Sequence, residues 1–259
     1  KDADLRKKII FTILMIIAYR IGAQIPSPGV DYASISGRLR SLTEESGNLY
    51  SVINLFSGGA LLQLSIFAIG IMPYITASII VQLLTVVIPH FEQLKKEGQS
   101  GQAKMTQYTR YLTLALALLQ SSGIVALADR EQLLGQGVPV LAEDRNFFTL
   151  IVLVITMTAG AILVMWMGEL ITEKGIGNGM SLMIFAGIAT RLPTDGVGIM
   201  QNNGGLVFAM VAAGLIVLVV GITFIEQGQR RIPVQYAKRM VGRRQYGGSS
   251  TYLPLKVNQ

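Results

Sequence analysis

The chain alternates long runs of apolar residues with shorter polar stretches. Six of these runs have the length, or nearly the length, of a membrane span, since a bilayer core of roughly 30 Å takes about 20 helical residues to cross. The fifth run is the shortest and crosses only if its adjoining turns are also helical. The pattern predicts an all-α, polytopic transmembrane helix bundle with six spans, near residues 9–25, 64–88, 108–128, 147–170, 179–192 and 206–225.

The positions of the basic residues support six spans and predict an orientation. With a cytoplasmic N-terminus, all but six of the 22 Lys and Arg residues lie in cytoplasmic segments, which is the distribution that membrane proteins favour. The six exceptions are Arg20, Arg38, Arg40, Arg130, Arg145 and Arg191. Without the fifth span, a strongly basic C-terminal segment would lie outside. We therefore expect residues 1–225 to be the transmembrane part, with both ends of the sequence cytoplasmic.

The composition agrees with a chain that lies mostly in lipid. Hydrophobic residues make up 51% of it and charged residues 14%, whereas soluble domains carry about 25% charged residues. There is no cysteine and one histidine, His90, which excludes a disulfide framework, a cysteine nucleophile and a multi-histidine metal site. We expect no metal and no cofactor. Because the sequence begins with Lys1 and stops within a polar stretch, we also expect a portion of a longer protein.

One short apolar segment, residues 54–63, directly precedes the second predicted span. It is too short to cross the membrane, and Gly58 and Gly59 allow its backbone to bend. The residues alone leave three alternatives open: a half-helix in the membrane interface, a re-entrant segment, or a segment packed inside the bundle.

Two predicted spans carry bulky apolar residues four positions apart, and therefore on one face of each helix. These are Ile71 and Ile75 on the second span and Met180 and Ile184 on the fifth. Such side chains, converging from several helices, make a narrow constriction that closes a pore by excluding water. Ordinary helix packing or lipid contact is the simpler alternative. Within the second span, Pro73 is expected to loosen the helix.

Polar residues near the end of the fourth span indicate a tight connection to the fifth. The turn Gly175–Gly179 lacks the strand and the spacing of a dinucleotide-binding motif. Asn178 is a candidate N-cap for the fifth span. The simplest interpretation of Glu169 and Glu173 is that they lie at a solvated interface.

Residues 226–259 form a basic arm. Beyond Glu226 it contains seven Lys and Arg residues and no acidic residue. Anionic lipid headgroups, RNA phosphates and acidic protein surfaces all attract such a segment, and composition does not choose among them. Six of the basic residues form the pairs Arg230–Arg231, Lys238–Arg239 and Arg243–Arg244.

Several motifs resemble the bacterial SecY family, the channel subunits of the protein-conducting translocon. They occur in the family's order across nearly the whole chain, which argues against chance. The motifs are Phe56–Leu61, Ile66–Ile75, Gln107–Tyr111, Gly175–Ser181, Gly228–Ile232, Tyr236–Arg239 and Leu253–Asn258.

The resemblance implies a fold of ten spans in two pseudo-symmetric halves around an hourglass pore. This chain would hold six spans, and its basic arm would lead to a seventh that it lacks. The implied plug residues are Asn54, Phe56, Ser57, Gly58, Gly59 and Leu61. The implied pore ring is Ile71, Ile75, Met180 and Ile184, and Thr76 would lie at the lateral gate. Implied docking residues for the ribosome or SecA are Lys95, Lys96, Lys104, Arg230, Arg231, Lys238, Arg239, Arg243 and Arg244.

On this resemblance we expect a non-enzymatic, pore-forming subunit in the bacterial plasma membrane that translocates unfolded polypeptides across the membrane or inserts them into it. The expected partners are SecE, SecG, SecA, the ribosome, nascent or preprotein chains, and membrane lipids. The sequence has no Gly-x-x-x-x-Gly-Lys-Ser/Thr nucleotide loop, so a partner would supply the energy.

Two other classes of protein remain as rivals. A secondary transporter should place ionisable groups at mid-membrane, and the second and sixth runs have none. An intramembrane enzyme needs a nucleophile–base pair or a metal site at that depth, which His90 alone does not supply.

Overall fold

The computed structural model describes a mainly helical chain. It describes residues 3–30, 60, 61, 64–131, 133, 141, 146–190, 192–234, 239–241, 244–246 and 251–256. The chain divides into two compact units, Lys1–Pro193 and Thr194–Gln259. Its helices are α1 (Ala3–Gly22), α2 (Met72–Val87), α3 (Pro89–Lys96), α4 (Gln99–Asp129), α5 (Phe147–Lys174), α6 (Gly179–Ala189) and α7 (Leu192–Glu226). Its strands are β1 (Gln229–Val234), β2 (Arg239–Val241), β3 (Arg244–Tyr246) and β4 (Thr251–Lys256).

In the described part of the chain, three helices are long and apolar enough to cross a membrane. They are α4, α5 and the Asp195–Glu226 portion of α7. A fourth span is added if α2 and α3, which meet at a bend of 99°, are counted as one broken span. The chain is therefore a multi-pass membrane protein. Since α6 has 11 residues and α1 carries charged residues near both ends, the count of six spans stays a prediction.

Helix α5 lies at the centre of the first unit, in contact with α1, α4 and α6. Its N-terminal half joins a buried cluster around Leu61, and its C-terminal half joins a second cluster around α6. Between the two, Gly160 approaches the backbone of the 64–71 segment so closely that an added Cβ would overlap the carbonyl oxygen of Ile66. The absence of a side chain at Gly160 thus sets how closely α5 packs.

Helix α4 contacts α2, α3 and α5 along one stripe. The stripe recurs every four residues, the spacing that keeps side chains on one helix face. Its buried members are Gly101, Met105, Thr109, Thr113, Ala117, Ser121 and Val125. Near its C-terminal end, the hydroxyls of Ser121 and Thr158 hydrogen bond at 2.8 Å, which links α4 to α5 with a polar contact inside the bundle.

The second predicted span begins later than expected. Residues 64–71 form turns, and α2 starts at Met72. Pro73 therefore lies in the first turn of the helix, where no intrahelical partner exists for its missing N–H. The expectation that Pro73 loosens the interior of a span is wrong, because the proline begins the helix rather than interrupting it.

The turns before α2 are held by the end of α1 and the chain that follows it. The rings of Tyr19 and Phe67 stack with their centroids 5.8 Å apart. Ile66 N donates to the carbonyl of Ile25 at 3.0 Å, and Ser27 N donates to that of Leu64 at 3.0 Å. These contacts position the segment that leads into α2.

The second unit contains α7 from Thr194 onward and two nested antiparallel β-hairpins. Helix α7 is broken at Gly204, where φ is 83° and ψ is 164°, so the apolar run predicted at 206–225 follows the break. Strand β1 pairs antiparallel with β4, and β2 pairs antiparallel with β3. The all-α prediction did not include these strands, which lie in the basic arm.

Candidate functional site

The four residues assigned to a pore ring belong to one hydrophobic cluster, called here the α6 cluster. Ile71 is buried, with 6% of its surface exposed, while Ile75, Met180 and Ile184 are half-buried and pack against the buried members. Those members are Tyr19, Phe67, Ile71, Val164, Met167, Ile171 and Met183. The structure thus brings together side chains more than 100 residues apart. Their action as a pore ring stays a prediction.

A glycine of α5 forms the floor of this cluster. An added Cβ at Gly168 would overlap Sδ of Met180 and would lie 3.5 Å from Cδ1 of Ile71. The backbone of α5 therefore passes directly beneath two of the assigned ring residues. Sequence reasoning missed Gly168, although a glycine within a run of large apolar residues is a signal of close packing.

The start of α6, and hence the position of Met180, is fixed by side chains on both sides of the glycine-rich turn. Oδ1 of Asn178 accepts hydrogen bonds from the backbone N–H groups of Met180 at 3.0 Å and Ser181 at 3.3 Å. The predicted N-cap is confirmed. Thr172 on α5 accepts a hydrogen bond from Gly179 N at 2.9 Å and donates to the carbonyl of Gly168 at 2.9 Å.

Helix α1 also holds this turn. Oγ1 of Thr12 accepts a hydrogen bond from Ile176 N at 3.2 Å and donates to the carbonyl of Lys8 at 2.9 Å. Thr12 is buried although it lies within an apolar helix face. Sequence reasoning missed Thr12 and Thr172, because a threonine inside an apolar run also satisfies its hydroxyl on its own helix.

An ion pair joins α4 to α5 beside the α6 cluster. Arg110 donates from Nε to Oε1 of Glu169 at 3.0 Å and from its terminal nitrogen to Oε2 at 2.7 Å. Side-chain exposure is 36% for Arg110 and 13% for Glu169. The expectation of a solvated interface at Glu169 is wrong, because the bidentate partner shields its carboxylate.

Of the residues assigned to the plug, the structure describes Leu61. It is buried, with 3% of its surface exposed. It belongs to what we call the Leu61 cluster, which includes Leu64, Ala68, Leu153 and Met157. The other assigned plug residues, Asn54, Phe56, Ser57, Gly58 and Gly59, lie outside the described residues, and the plug stays a prediction.

Thr76, assigned to the lateral gate, is half-buried near the start of α2. Its hydroxyl donates to the carbonyl of Met72 at 3.1 Å. The donor is thus used within its own helix, while the oxygen retains accepting capacity. Its role at a gate stays a prediction.

The basic residues of α3 and of the N-terminal part of α4 are exposed, as docking requires. Lys95, Lys96 and Lys104 are all exposed. Lys96 pairs with Glu92 at 2.6 Å, and Lys104 pairs with Glu97 at 3.4 Å. The hydrogen bond from Lys96 lowers the pKa of the Glu92 carboxyl.

The basic residues of the arm lie on and around the hairpins. Arg230 and Arg231 are exposed on β1. Arg239 begins β2 and Arg244 begins β3. The remaining two docking candidates, Lys238 and Arg243, lie outside the described residues.

The described residues contain no group of three or more His, Cys, Asp or Glu side chains that could hold a metal ion. The ring of His90 contacts that of Phe91 edge to face, with centroids 6.0 Å apart. In the part of the chain that the structure describes, the chemistry of the candidate site is therefore an apolar cluster with one flanking ion pair.

The chain is similar to known proteins in family, in sequence and in structure. The SecY family profile matches residues 65–259. The protein translocase subunit SecY of Corynebacterium glutamicum is 84% identical over 259 residues, and that of Mycobacterium tuberculosis is 63% identical over 261 residues. Each match covers all of this chain and 59% of the relative. The chain thus spans about three-fifths of the length of these curated relatives.

Solved structures agree on the fold. One is a protein-conducting channel, with a TM-score of 0.61 at 16% identity over 99% of this chain and 54% of the channel. Another is a SecY whose plug domain stabilises the closed channel, with a TM-score of 0.59 at 18% identity over 99% of this chain and 53% of the other. With whole-chain identities of 84% and 63% to two SecY subunits, the chain belongs to the SecY family.

Proposed function

We propose that this chain forms part of the pore of a channel that conducts unfolded polypeptides across the bacterial plasma membrane or into it. The observation that carries this proposal is the α6 cluster, which brings Ile71, just before α2, and Ile75 of α2 together with Met180 and Ile184 of α6. Relatives at up to 84% identity are protein translocase subunits, and a solved neighbour is a protein-conducting channel.

The physical basis of the proposal is dewetting. Water leaves a narrow passage lined by aliphatic side chains, and ions without water cannot follow. A polypeptide passes because apolar side chains yield to it without breaking any hydrogen bond. Ile71 and Ile75 are stiff at the branched Cβ, whereas Met180 is more flexible. The seal would therefore depend more on the isoleucines than on the methionine.

The surrounding features take supporting roles in this proposal. Residues 54–63 act as the plug on the external side of the ring, and Thr76 lies at the lateral gate. The exposed residues Lys95, Lys96, Arg230 and Arg231 dock the ribosome or SecA, with both ends of the sequence in the cytoplasm. SecE and SecG complete the channel, and lipids surround it. The energy for transport comes from a partner, so the chain itself is not an enzyme.

The test uses a full-length channel. In a chimera, this chain replaces the corresponding region of the C. glutamicum protein, which aligns with it over 259 residues. The chimera is purified with its partner subunits and placed in vesicles. We expect it to translocate a preprotein and to be tight to ions when idle. Replacing Ile71 and Ile75 by Ser should raise the idle ion leak by roughly tenfold, since polar groups hold water in the constriction.

A matched control is the replacement of Ile79 and Leu83 by Ser, one and two turns further along α2. Both side chains are exposed at the surface of the first unit, outside the α6 cluster. If the chimera is tight and the first double substitution leaves the leak unchanged, the ring role is wrong. If the unsubstituted chimera translocates nothing while the parent channel does, the proposed function is wrong.

A further inference from the structure

The proposed pore mechanism does not use the ion pair between Arg110 and Glu169. This pair joins α4 to α5 through two parallel hydrogen bonds of 3.0 Å and 2.7 Å. Only 13% of the Glu169 side chain is exposed. Taking a carboxylate this far out of water is costly unless its partner is held in good geometry. The bidentate fork supplies that geometry.

The pair lies one residue from the floor of the α6 cluster. Glu169 follows Gly168, whose backbone contacts Met180 and lies close to Ile71. The carbonyl of Gly168 also accepts a hydrogen bond from the hydroxyl of Thr172. The same hydroxyl accepts a hydrogen bond from the backbone N–H of Gly179 at the start of α6. A displacement of α5 at Glu169 would therefore move both the floor of the cluster and the start of α6.

Helix α2 contributes to the same cluster. Tyr74, in the first turn of α2, packs against the α6 cluster, as Ile75 does. A shift of α5 would therefore act on side chains of α2 as well as of α6.

We propose that Arg110 and Glu169 are the positioning residues of the constriction: their ion pair fixes α5 against α4, so that Gly168 holds Met180 and Ile71 in the sealed arrangement. The inference rests on the proposed function, because it concerns the seal of the same pore. Its consequence is that the pair controls the tightness of the idle channel without touching the polypeptide.

The experiment measures two quantities in the full-length chimera with its partner subunits. The first is the idle ion leak of vesicles that contain it. The second is the rate at which dibromobimane, a short reagent that bridges two thiols, links cysteines introduced as Ile71→Cys and Met180→Cys. The chain has no native cysteine, so no other thiol of this region reacts with the reagent. The linking rate can be measured whether or not the channel transports a polypeptide.

We expect Glu169→Gln to raise the leak and lower the linking rate, each by roughly fivefold, which is a typical size for coupling between groups in one network. Arg110→Lys keeps the charge but loses the fork, so its effects should be intermediate. The exchange Arg110→Glu with Glu169→Arg should restore most of both readings. The matched control Glu92→Gln removes an ion pair that is exposed on α3, and it should change neither.

Several outcomes would overturn the inference. One is a folded Glu169→Gln channel with unchanged leak. Another is a raised leak with an unchanged linking rate, which would mean that the charges act on ions directly. A third is an exchanged pair that leaves both readings at the level of Glu169→Gln. If Glu169→Gln does not fold, Arg110→Lys carries the same test. A chimera that never translocates contradicts the proposed function, while the linking rate still tests the pair.

Discussion

The two hydrophobic clusters of the first unit are built from the same kinds of residues but differ in how far they are enclosed. In the Leu61 cluster, Leu153 and Met157 have no exposed surface, and small residues such as Ala117 and Ala161 let the helices approach. In the α6 cluster, Ile75, Met180 and Ile184 remain half-buried. The Leu61 cluster thus encloses its buried members almost completely, whereas the α6 cluster leaves three side chains partly uncovered. The proposed pore role of the α6 cluster requires this difference, because side chains that line a passage must keep one face uncovered.

The largest expected effect comes from the close approach of α5 to the 64–71 segment at Gly160. Replacing Gly160 by Ala should lower the free energy of unfolding by about 3 kcal/mol, because the new methyl group overlaps a backbone carbonyl that cannot rotate away. Both clusters should loosen together, since α5 contributes to each. Denaturant unfolding of the purified chimera in detergent measures the change.

The control for this substitution is Gly123→Ala on α4, where an added Cβ meets nothing within 4 Å. It should be neutral or stabilising by up to about 1 kcal/mol, since alanine favours a helix more than glycine does. Equal losses at Gly160 and Gly123 would contradict the steric account.

A second prediction separates the two clusters directly. Leu153→Ala should lower the free energy of unfolding by about 3 kcal/mol because it opens a cavity in an enclosed site. Ile75→Ala should cost only about 1 kcal/mol because the side chain is half-buried. The order should reverse for the idle ion leak, which Ile75→Ala should raise and Leu153→Ala should leave nearly unchanged. The free energy of unfolding and the idle ion leak are measured on the same preparations of both variants. If one variant has the larger effect on both quantities, the two clusters do not differ in role.

The smallest expected effect lies at the surface, outside both clusters. The hydrogen bond from Lys96 lowers the pKa of Glu92, so the pair's contribution to stability is favourable at neutral pH but too small to measure at this exposed site. That contribution is lost as the pH falls below the usual pKa of Glu toward the lowered value. Because the pair is exposed, we expect Glu92→Gln to leave the unfolding midpoint unchanged at pH 7. A clear drop in the midpoint at pH 7, absent at low pH, would show that the pair has a larger role.

Much of the helical framework could be predicted from hydrophobic periodicity. The runs at 108–128 and 147–170 lie within α4 and α5, because long uninterrupted apolar runs have no other stable form in a membrane. The start of α2 was predicted eight residues too early. The turns at residues 64–71, which are held against the end of α1, are as apolar as a helix would be. The strands of the arm were missed, because they lie in a polar, basic segment without an apolar alternation, and β1 pairs with β4 between residues 17 to 27 positions apart.

The candidate site was less predictable than the framework. The four assigned ring residues came from a resemblance, and the capping role of Asn178 came from its position before an apolar run. Gly168, Thr12 and Thr172 were not identified, because each has an ordinary explanation within its own helix. Glu169 was read as solvated, because its partner lies 59 residues away in the sequence.

The sequence by itself determined that this chain lies in a membrane, where its longest apolar helices run and which family it belongs to. Those properties follow from local composition and from motifs in a fixed order. Only the tertiary structure decided that Gly168 lies beneath Met180 and Ile71, and that Arg110 meets Glu169. Such contacts depend on how closely helices approach and which faces they turn to each other. Distances of that kind are set by packing among residues far apart in the chain, and no local pattern encodes them.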